Sequence, residues 1–370
     1  MVFILARVSV QINSRRALFH IARAVGYVPM LLIATQSLPA QHGLSSAADY
    51  ALIINRLAGA PTDLDSLYSE AIRRRLALDS IIEADGSALF GAKLSSFAVR
   101  QRIRTDPELV MHDPDSIVLA YANGLDRARG MLPRLFDTVT DGPITVRSIP
   151  AEEAASSAPA AYVPADPKYR ADSAVFLVNA HQPGGIARMN ILLGVAHEAY
   201  PGHHFQARYA LAHGTSPEAT PDNEAYIEGW GIYSERLADE AGLYDGDRVA
   251  RLGYLIHLYD VFMALQIDIG IHARGWTRAA AVDTMMMVAG RPRSQAASYA
   301  NRDAASPGQL ATYGIGFTSI VRERERAESA LGTDFDLARF HAIVLSDGSS
   351  TLAALDNRVT HWIDRSTHGG

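Results

Sequence analysis

The chain has 370 residues, of which 48% are hydrophobic, and it carries 34 lysines and arginines against 40 aspartates and glutamates. This composition can bury the core of one large domain or of two closely packed ones, and the net charge of −6 without a basic stripe argues against nucleic acid as a partner. The sequence has no cysteine, which excludes disulfides, thiol catalysis and thiolate metal ligands, so histidine and carboxylate side chains are the only strong ligands for a transition metal.

The first forty residues have the pattern of an export signal. Arg15 and Arg16 precede an apolar stretch over residues 24–40, which prolines interrupt and which is too short for a comfortable membrane span. We therefore predict a signal peptide at residues 1–40 and an exported protein, periplasmic or secreted, with no stable membrane span after processing. The alternative is an amphipathic helix that belongs to the folded domain.

Residues 41–370 are predicted to form a single, mainly α-helical domain. In its N-terminal part, residues 41–143, apolar side chains recur every three or four residues, as in segments 64–82 and 115–132. Between Ile144 and Phe176, prolines disfavour helices and segment 174–179 is typical of a strand, so a small β-sheet or hairpin is expected beside the metal-site helix. The helical pattern then returns in the C-terminal part, residues 144–370, in blocks 189–213, 223–241, 247–273, 277–289, 308–331 and 336–345.

A group of histidines and a glutamate follows a strongly apolar run. Residues 191–196 lead directly into His197-Glu198-Ala-Tyr-Pro-Gly-His203-His204. Buried imidazoles and carboxylates are costly unless they are paired or coordinated. The pattern therefore predicts a metal site, and Zn²⁺ held by histidine and carboxylate ligands is the expected ion.

The spacing departs from the H-E-x-x-H motif, in which two histidines four residues apart share one helical face. Here Pro201 stands four residues after His197, and His203 and His204 follow at six and seven. Pro201 and Gly202 are expected to interrupt the helix, and an excursion of two residues would return His203 to the place of the second ligand. His203 is the predicted ligand, and His204 remains the alternative.

A carboxylate from a later helix is the expected third ligand. Segment 223–235 carries Glu224, Glu228 and Glu235 along one stripe of a partly apolar helix. We predict Glu228, because the glycine and tryptophan that follow it are unusual in a surface helix and indicate close packing. A solvated helix face is the alternative for Glu235.

These two motifs together resemble a known family. The runs H-E-A-Y-P-G-H-H-F-Q and E-G-W-G-I-Y-S-E are similar to those of the zincin-like family catalogued as domain of unknown function 885 (DUF885), related to the H-E-x-x-H metallopeptidases. Segments 265–277, 307–316 and 331–341 resemble further parts of it, in the expected order. The resemblance implies a zincin-like helical body with a cleft over the metal. It also favours His203, because a Gly-His pair carries the second zinc histidine in the related peptidases.

Three ligands, His197, His203 and Glu228, would leave a fourth position open for water, as in catalytic zinc sites. Glu198 would then act as the general base. The expected activity is that of a zinc-dependent metallopeptidase, a hydrolase that cleaves the amide bonds of short peptides.

Three further residues are candidates for stabilising the reaction, on the basis of the resemblance and of their chemistry. They are His272, Tyr313 and Arg302, with Arg302 able to bind a substrate carboxylate. Asp268 precedes His272 by four residues and would orient its imidazole. A helix-surface pair, a core tyrosine and a structural ion pair are the respective alternatives.

The chain also departs from the family in ways that bear on activity. Val261, Ala264 and Gly314 stand where members tend to carry basic residues, and most members are longer at the N-terminus. Two other functions therefore stay open, a metal-dependent enzyme for a nonpeptide substrate such as a small amide, and a noncatalytic relative that binds metal or peptide. The sequence does not fix the oligomeric state.

Overall fold

The computed structural model describes residues 46–140, 142–163, 173–215 and 223–368. Helices dominate, which confirms the predicted mainly α fold. The N-terminal part contains α1 (Ala47–Ala58), α2 (Leu64–Ala77), α3 (Asp79–Phe90), α4 (Ser96–Thr105) and α5 (Pro114–Met131). The C-terminal part contains α6 (Ile191–Gly194), α7 (His203–Ala212), α8 (Glu224–Glu240), α9 (Arg248–Ala273), α10 (Arg278–Ala289), α11 (Arg293–Ala305), α12 (Ala311–Leu331), α13 (Leu337–Leu345) and α14 (Leu352–His368). The predicted signal peptide lies outside the described residues and stays a prediction.

Two differences from the predicted helices have local causes. The segment 64–82 forms two helices. The backbone N–H of Leu78 donates to the carbonyl of Arg75, three residues earlier, at 3.2 Å, and this tighter turn ends α2. Helices α11 and α14 were outside the predicted blocks. The buried face of α11 is formed mainly by Ala296 and Ala300, which give a weak apolar signal.

The strands are β1 (Val110–Met111), β2 (Ile144–Ser148), β3 (Ala160–Val163), β4 (Ala174–Val178) and β5 (Ile186–Ala187). They form a two-stranded sheet, β1 with β5, and a three-stranded sheet in the order β2-β4-β3. The predicted small sheet is present, but β4 runs parallel to β2 and antiparallel to β3, so it is not a simple hairpin. Strand β3 forms an edge of this sheet and lies beside the metal-site segment described below.

Helix α9 is the centre of the core. It packs against α2, α3 and α12, and nearly all of its residues from Val249 to Gly270 are buried. Within the described residues it is the helix long and apolar enough to cross a membrane, but 89% of that apolar window is buried inside the fold. This burial is typical of a core helix.

A close crossing fixes α12 against α8. A Cβ atom on Gly229 would lie 2.4 Å from the backbone of Gly316, and one on Gly316 would lie 1.7 Å from the carbonyl oxygen of Ala225. Only glycine at these positions lets the two backbones approach so closely. The crossing brings α12 next to the part of α8 that carries Glu228.

Candidate metal centre

The first half of the histidine motif forms a widened helical turn. His197 and Glu198 lie in a π-helical segment, Val195–Ala199, that continues α6, and both side chains are buried. The N–H of Tyr200 closes this turn on the carbonyl of Val195 at 3.1 Å, after which the chain becomes extended. π-Helical turns of this kind occur often at functional sites.

The Pro-Gly interruption separates the two halves of the motif, and α7 begins afresh at His203. A Cβ atom on Gly202 would lie 1.8 Å from the carbonyl oxygen of His197, so the turn requires glycine for this close approach. The turn brings the imidazoles of His197 and His203 to a centroid distance of 4.7 Å at an interplanar angle of 90°. The two imidazoles therefore approach one another from different segments.

Helix α8 holds both halves of this segment in place. The Ser234 hydroxyl donates to the carbonyl of Ala196 at 2.8 Å, and the Trp230 indole N–H donates to the carbonyl of Pro201 at 2.9 Å. Glu228 lies on the same helix, two residues before Trp230, and its carboxylate approaches both histidines. The close packing predicted around Glu228 is present, because Trp230 contacts this turn and Gly229 contacts α12.

Three side chains that the sequence suggested as metal ligands come together. One ligand atom each from His197, His203 and Glu228 lie within 4.8 Å of one another, and all three residues are buried. The Oε2 atom of Glu228 lies 3.4 Å from Nε2 of His197 and 3.6 Å from Nε2 of His203. These distances are too long for charge-assisted hydrogen bonds, which measure about 2.7–2.9 Å.

The same distances fit ligands around a small cation. Zinc binds nitrogen and carboxylate oxygen at about 2.0–2.1 Å, and in a tetrahedral site this separates neighbouring ligand atoms by about 3.3–3.4 Å. Nε2 of His197 and Oε2 of Glu228 are buried and have no hydrogen-bond partner within the described residues. Buried polar atoms without partners are rare, and a cation would satisfy both of them.

A glycine on α8 makes room for the imidazoles. A Cβ atom on Gly231 would lie 2.6 Å from Cε1 of His197 and 3.0 Å from Cε1 of His203. Any larger residue would displace the rings from their approach to Glu228. This slot is a second feature, besides the ligand atoms themselves, that fits the residues to a metal.

The electrostatics of the group favour a cation. Burial raises the carboxyl pKa of Glu228, but the imidazoles of His197 and His203 outweigh this effect and hold the pKa at about 2. Burial lowers the pKa of His197, yet Glu228 and Glu235 outweigh it and the net direction is strongly upward. Both pKa shifts indicate that positive charge is stabilised next to the buried carboxylates of this site.

Behind His197 lies the carboxylate of Glu235, which is completely buried. Its Oε1 atom is 2.8 Å from Nδ1 of His197. When Nδ1 of His197 donates this hydrogen bond, the lone pair of Nε2 is left facing Glu228 and His203, which is the tautomer that binds a metal. The solvated helix face considered for Glu235 is wrong, because the side chain has no exposed surface.

Glu198 lies beside the ligands with its carboxylate held from the sheet. The backbone N–H of Tyr162 in β3 donates to its Oε2 atom at 3.2 Å. Burial raises the carboxyl pKa of Glu198, against the lowering effect of the two imidazoles. A carboxylate with a raised pKa and a fixed orientation is suited to accept a proton.

His204, the alternative ligand, turns away from the group. Its Nε2 atom lies 3.2 Å from the carbonyl oxygen of Gly142, and its ring packs edge-on against those of Tyr162 and Tyr200. Of the two adjacent histidines, the structure brings only His203 into the ligand group.

Tyr313 lies on α12 and Arg302 lies on α11. Tyr313 is buried, and burial together with the charge of Glu228 raises its pKa far above the ordinary value. The positive charge of Arg302 acts on Tyr313 in the opposite direction, and its guanidinium lies 4.8 Å from the ring centroid of Tyr299. Tyr313 is therefore within electrostatic reach of Glu228, and Arg302 is within electrostatic reach of Tyr313.

His272 belongs to a different cluster. Its Nε2 atom lies 3.1 Å from the backbone carbonyl of Asp303 and 3.6 Å from Oδ1 of Asp268, and its ring stacks on Tyr50. Asp268 also accepts the backbone N–H groups of Gly308 and Ala311, at 3.2 and 3.1 Å, at the start of α12. The orientation of His272 by Asp268 is thus weaker than predicted, and the described contacts of His272 do not include the metal ligands.

Replacing Asp303 with asparagine is expected to stabilise the protein, and more so at pH 8 than at pH 5. Burial, with the charge of Asp268 nearby, raises the carboxyl pKa of Asp303 well above its ordinary value. The group is therefore protonated when folded and ionises on unfolding, so stability is lost as pH rises above the unfolded pKa. An amide removes this loss, and we expect the gain to differ by about 1–3 kcal/mol between the two pH values. Urea unfolding at both pH values measures it.

The control for this prediction is Asp283→Asn, at an exposed position on α10. It should leave the pH dependence of unfolding unchanged. An Asp303→Asn variant that is less stable than the wild type at both pH values would contradict the neutral carboxyl.

Two residues of the site were missed by the sequence analysis. Gly231 lies one turn after Glu228 and forms the imidazole slot, and its position at i+3 from the predicted ligand was the available signal. His257 contacts Glu235 from α9. Nothing local in the sequence marks it, because its partners are far away along the chain.

The fold and the site define a mainly helical protein with a candidate metal centre of two histidines and a glutamate. The chain belongs to the DUF885 family, described as a bacterial protein of unknown function, which matches residues 30–359. The predicted membership is therefore correct. No functionally curated protein matches the chain.

Two of the solved structures that are similar to the chain come from Colwellia and Shewanella. One is described as a "putative lipoprotein" from Colwellia psychrerythraea, with a TM-score of 0.79 and 24% identity over 86% of this chain and 55% of that one. The other, a "putative lipoprotein of unknown function" from Shewanella oneidensis, has a TM-score of 0.72 and 22% identity over 92% of this chain and 62% of that one. The chain thus spans less than two thirds of either protein and shares their fold. Neither they nor the family are described as metallopeptidases.

Proposed function

We propose that this protein is a zinc-dependent hydrolase that cleaves amide bonds in short peptides. The observation that carries the proposal is the convergence of His197, His203 and Glu228 at distances that fit a tetrahedral ion, with Glu198 beside them. Two histidines and a glutamate are a ligand set of catalytic zinc, which keeps one position open. A relation to the H-E-x-x-H metallopeptidases is part of this proposal.

In the proposed site, zinc supplies a Lewis acid that polarises the amide carbonyl and activates water. The chain supplies the proton transfer. The Glu198 carboxylate, held by the N–H of Tyr162, accepts the proton of the attacking water and delivers it to the leaving amine. Burial of Glu198 and Glu228 keeps these electrostatic interactions strong.

Tyr313 and Arg302 are proposed to bind the substrate. The phenol of Tyr313 stays protonated, because burial raises its pKa, so it can donate a hydrogen bond to the developing oxyanion. The guanidinium of Arg302 offers planar donors that match a carboxylate, such as the C-terminus of a short peptide. His272 is not included in this role, since its contacts lie in the cluster with Asp303.

We further propose that the protein acts outside the cytoplasm. Two features support this. The N-terminal sequence has the arginine pair and apolar stretch of an export signal, and each of the two structures named above is described as a "putative lipoprotein".

The test is hydrolysis by the purified protein, with zinc content measured in parallel, against a library of short peptides and a set of small nonpeptide amides. We expect peptide hydrolysis that is lost on treatment with a chelator and restored by zinc. Hydrolysis of the nonpeptide amides alone would favour a metal-dependent enzyme for a nonpeptide substrate. Bound zinc without turnover on either set would favour a noncatalytic relative, and absence of zinc after incubation with it would refute the metal centre.

A further inference from the structure

We propose that His257 is a positioning residue for the metal centre. It holds the carboxylate of Glu235, and Glu235 in turn directs the imidazole of His197 at the metal. The inference rests on the proposed function, since it assigns a role toward the same ion.

The geometry forms a continuous chain of contacts from the core helix to the ligand. Nδ1 of His257 lies 3.0 Å from Oε1 and 2.9 Å from Oε2 of Glu235. Oε1 of Glu235 lies 2.8 Å from Nδ1 of His197. The two imidazoles therefore reach the same carboxylate through the same kind of nitrogen, with ring centroids 6.3 Å apart.

The number of donors gives His257 its role. An ionised carboxylate only accepts hydrogen bonds, and a fully buried one needs donors from the protein. His197 reaches only Oε1 of Glu235, whereas the Nδ1–H of His257 reaches both oxygens. Without His257, Oε2 would lose this donor, and the carboxylate could rotate away from the line that joins Oε1 to Nδ1 of His197.

The orientation of that carboxylate matters because the site leaves the His197 ring little freedom. The ring stands in the Gly231 slot. Its Nε2 lone pair must point at the same ion position as the ligand atoms of Glu228 and His203. Hydrogen-bonding partners behind a metal-bound histidine fix its tautomer and ring angle, and losing one typically weakens metal binding by about 10–100-fold. His257 sits on α9, the buried core helix, so it provides a rigid reference for this alignment.

The experiment compares zinc dissociation constants, measured by chelator competition, for the wild type and the variants His257→Leu, His257→Asn and His257→Gln. Leucine removes the donor. The asparagine amide nitrogen occupies roughly the place of Nδ1 and keeps the donor toward Glu235, whereas the glutamine amide reaches the place of Nε2. We expect zinc binding to weaken by about 10–100-fold for leucine and glutamine, and to recover most of the wild-type affinity for asparagine.

His341→Leu serves as the control for a general loss of stability. His341 is a completely buried histidine, in contact with the carbonyl of Leu135 at 2.8 Å and the hydroxyl of Tyr233 at 3.1 Å. Its replacement should lower the unfolding temperature without changing the affinity for zinc. If His257→Leu does not fold, the comparison of asparagine with glutamine carries the test.

The outcomes separate this inference from the proposed function. Zinc bound by the wild type and equally tightly by His257→Leu would overturn the role of His257 and leave the metal centre intact. Equal weakening for leucine and asparagine would overturn the hydrogen-bond role. A wild type that binds no zinc would overturn the inference together with the metal centre.

Discussion

Replacing Glu198 with glutamine is expected to lower the rate of peptide hydrolysis by about 10²–10⁴-fold, the usual contribution of a general base, while zinc stays bound. The variant keeps the size of the side chain and an oxygen that can accept the N–H of Tyr162, but it loses the basic carboxylate. Glu198 is not among the converging ligands, so the metal should not depend on it. Hydrolysis rates and zinc content of the same preparation measure both effects.

A matched control is Glu224→Gln. Glu224 is exposed and begins α8, one turn before Glu228. It should retain both zinc and activity. A Glu198→Gln variant with wild-type turnover would remove Glu198 as the base, and one that loses zinc along with activity would make Glu198 a part of the binding site.

The sequence predicted the ligand group because most of its chemistry is local. The absence of cysteine limited the possible ligands to His, Glu and Asp, and Pro201 with Gly202 marked the point where the helix had to break. The break lies where it was expected, before His203. The form of the turn did not follow from the sequence, because a π-helical turn and a regular one have the same apolar pattern over so few residues.

Contacts between distant segments could not be predicted from the sequence. Glu235 looked like a member of a charged stripe, and its burial depends on α9, whose His257 lies 22 residues later along the chain. The role of Gly231 became apparent only when the two imidazoles were found packed against it. Both are consequences of tertiary packing, which local propensity does not contain.

The spacing that linked Asp268 to His272 identified one neighbour of His272 correctly and missed a closer one. Spacing of four residues does place Asp268 near His272, at 3.6 Å. The closer partner is the backbone of Asp303 on α11, a helix that the apolar pattern did not predict. Without α11, the cluster in which His272 lies was not visible.

Replacing His197 with alanine is expected to weaken zinc binding by about 10²–10³-fold and to abolish hydrolysis. Zinc held by four protein ligands gains about 10–16 kcal/mol, so one ligand accounts for about 2.5–4 kcal/mol, which corresponds to roughly 10²–10³-fold in affinity. The loss should exceed that of any His257 variant, because His197 supplies a ligand atom and His257 acts through Glu235.

The matched control is His204→Ala, since His204 is another buried histidine of the same motif but faces the carbonyl of Gly142. It should cost about 1–3 kcal/mol of stability from the lost contact and keep zinc. Chelator competition and thermal unfolding on both variants measure the two effects. If His204→Ala lost zinc while His197→Ala kept it, the ion would not lie where His197 and Glu228 converge, and the proposed chemistry would lose its centre.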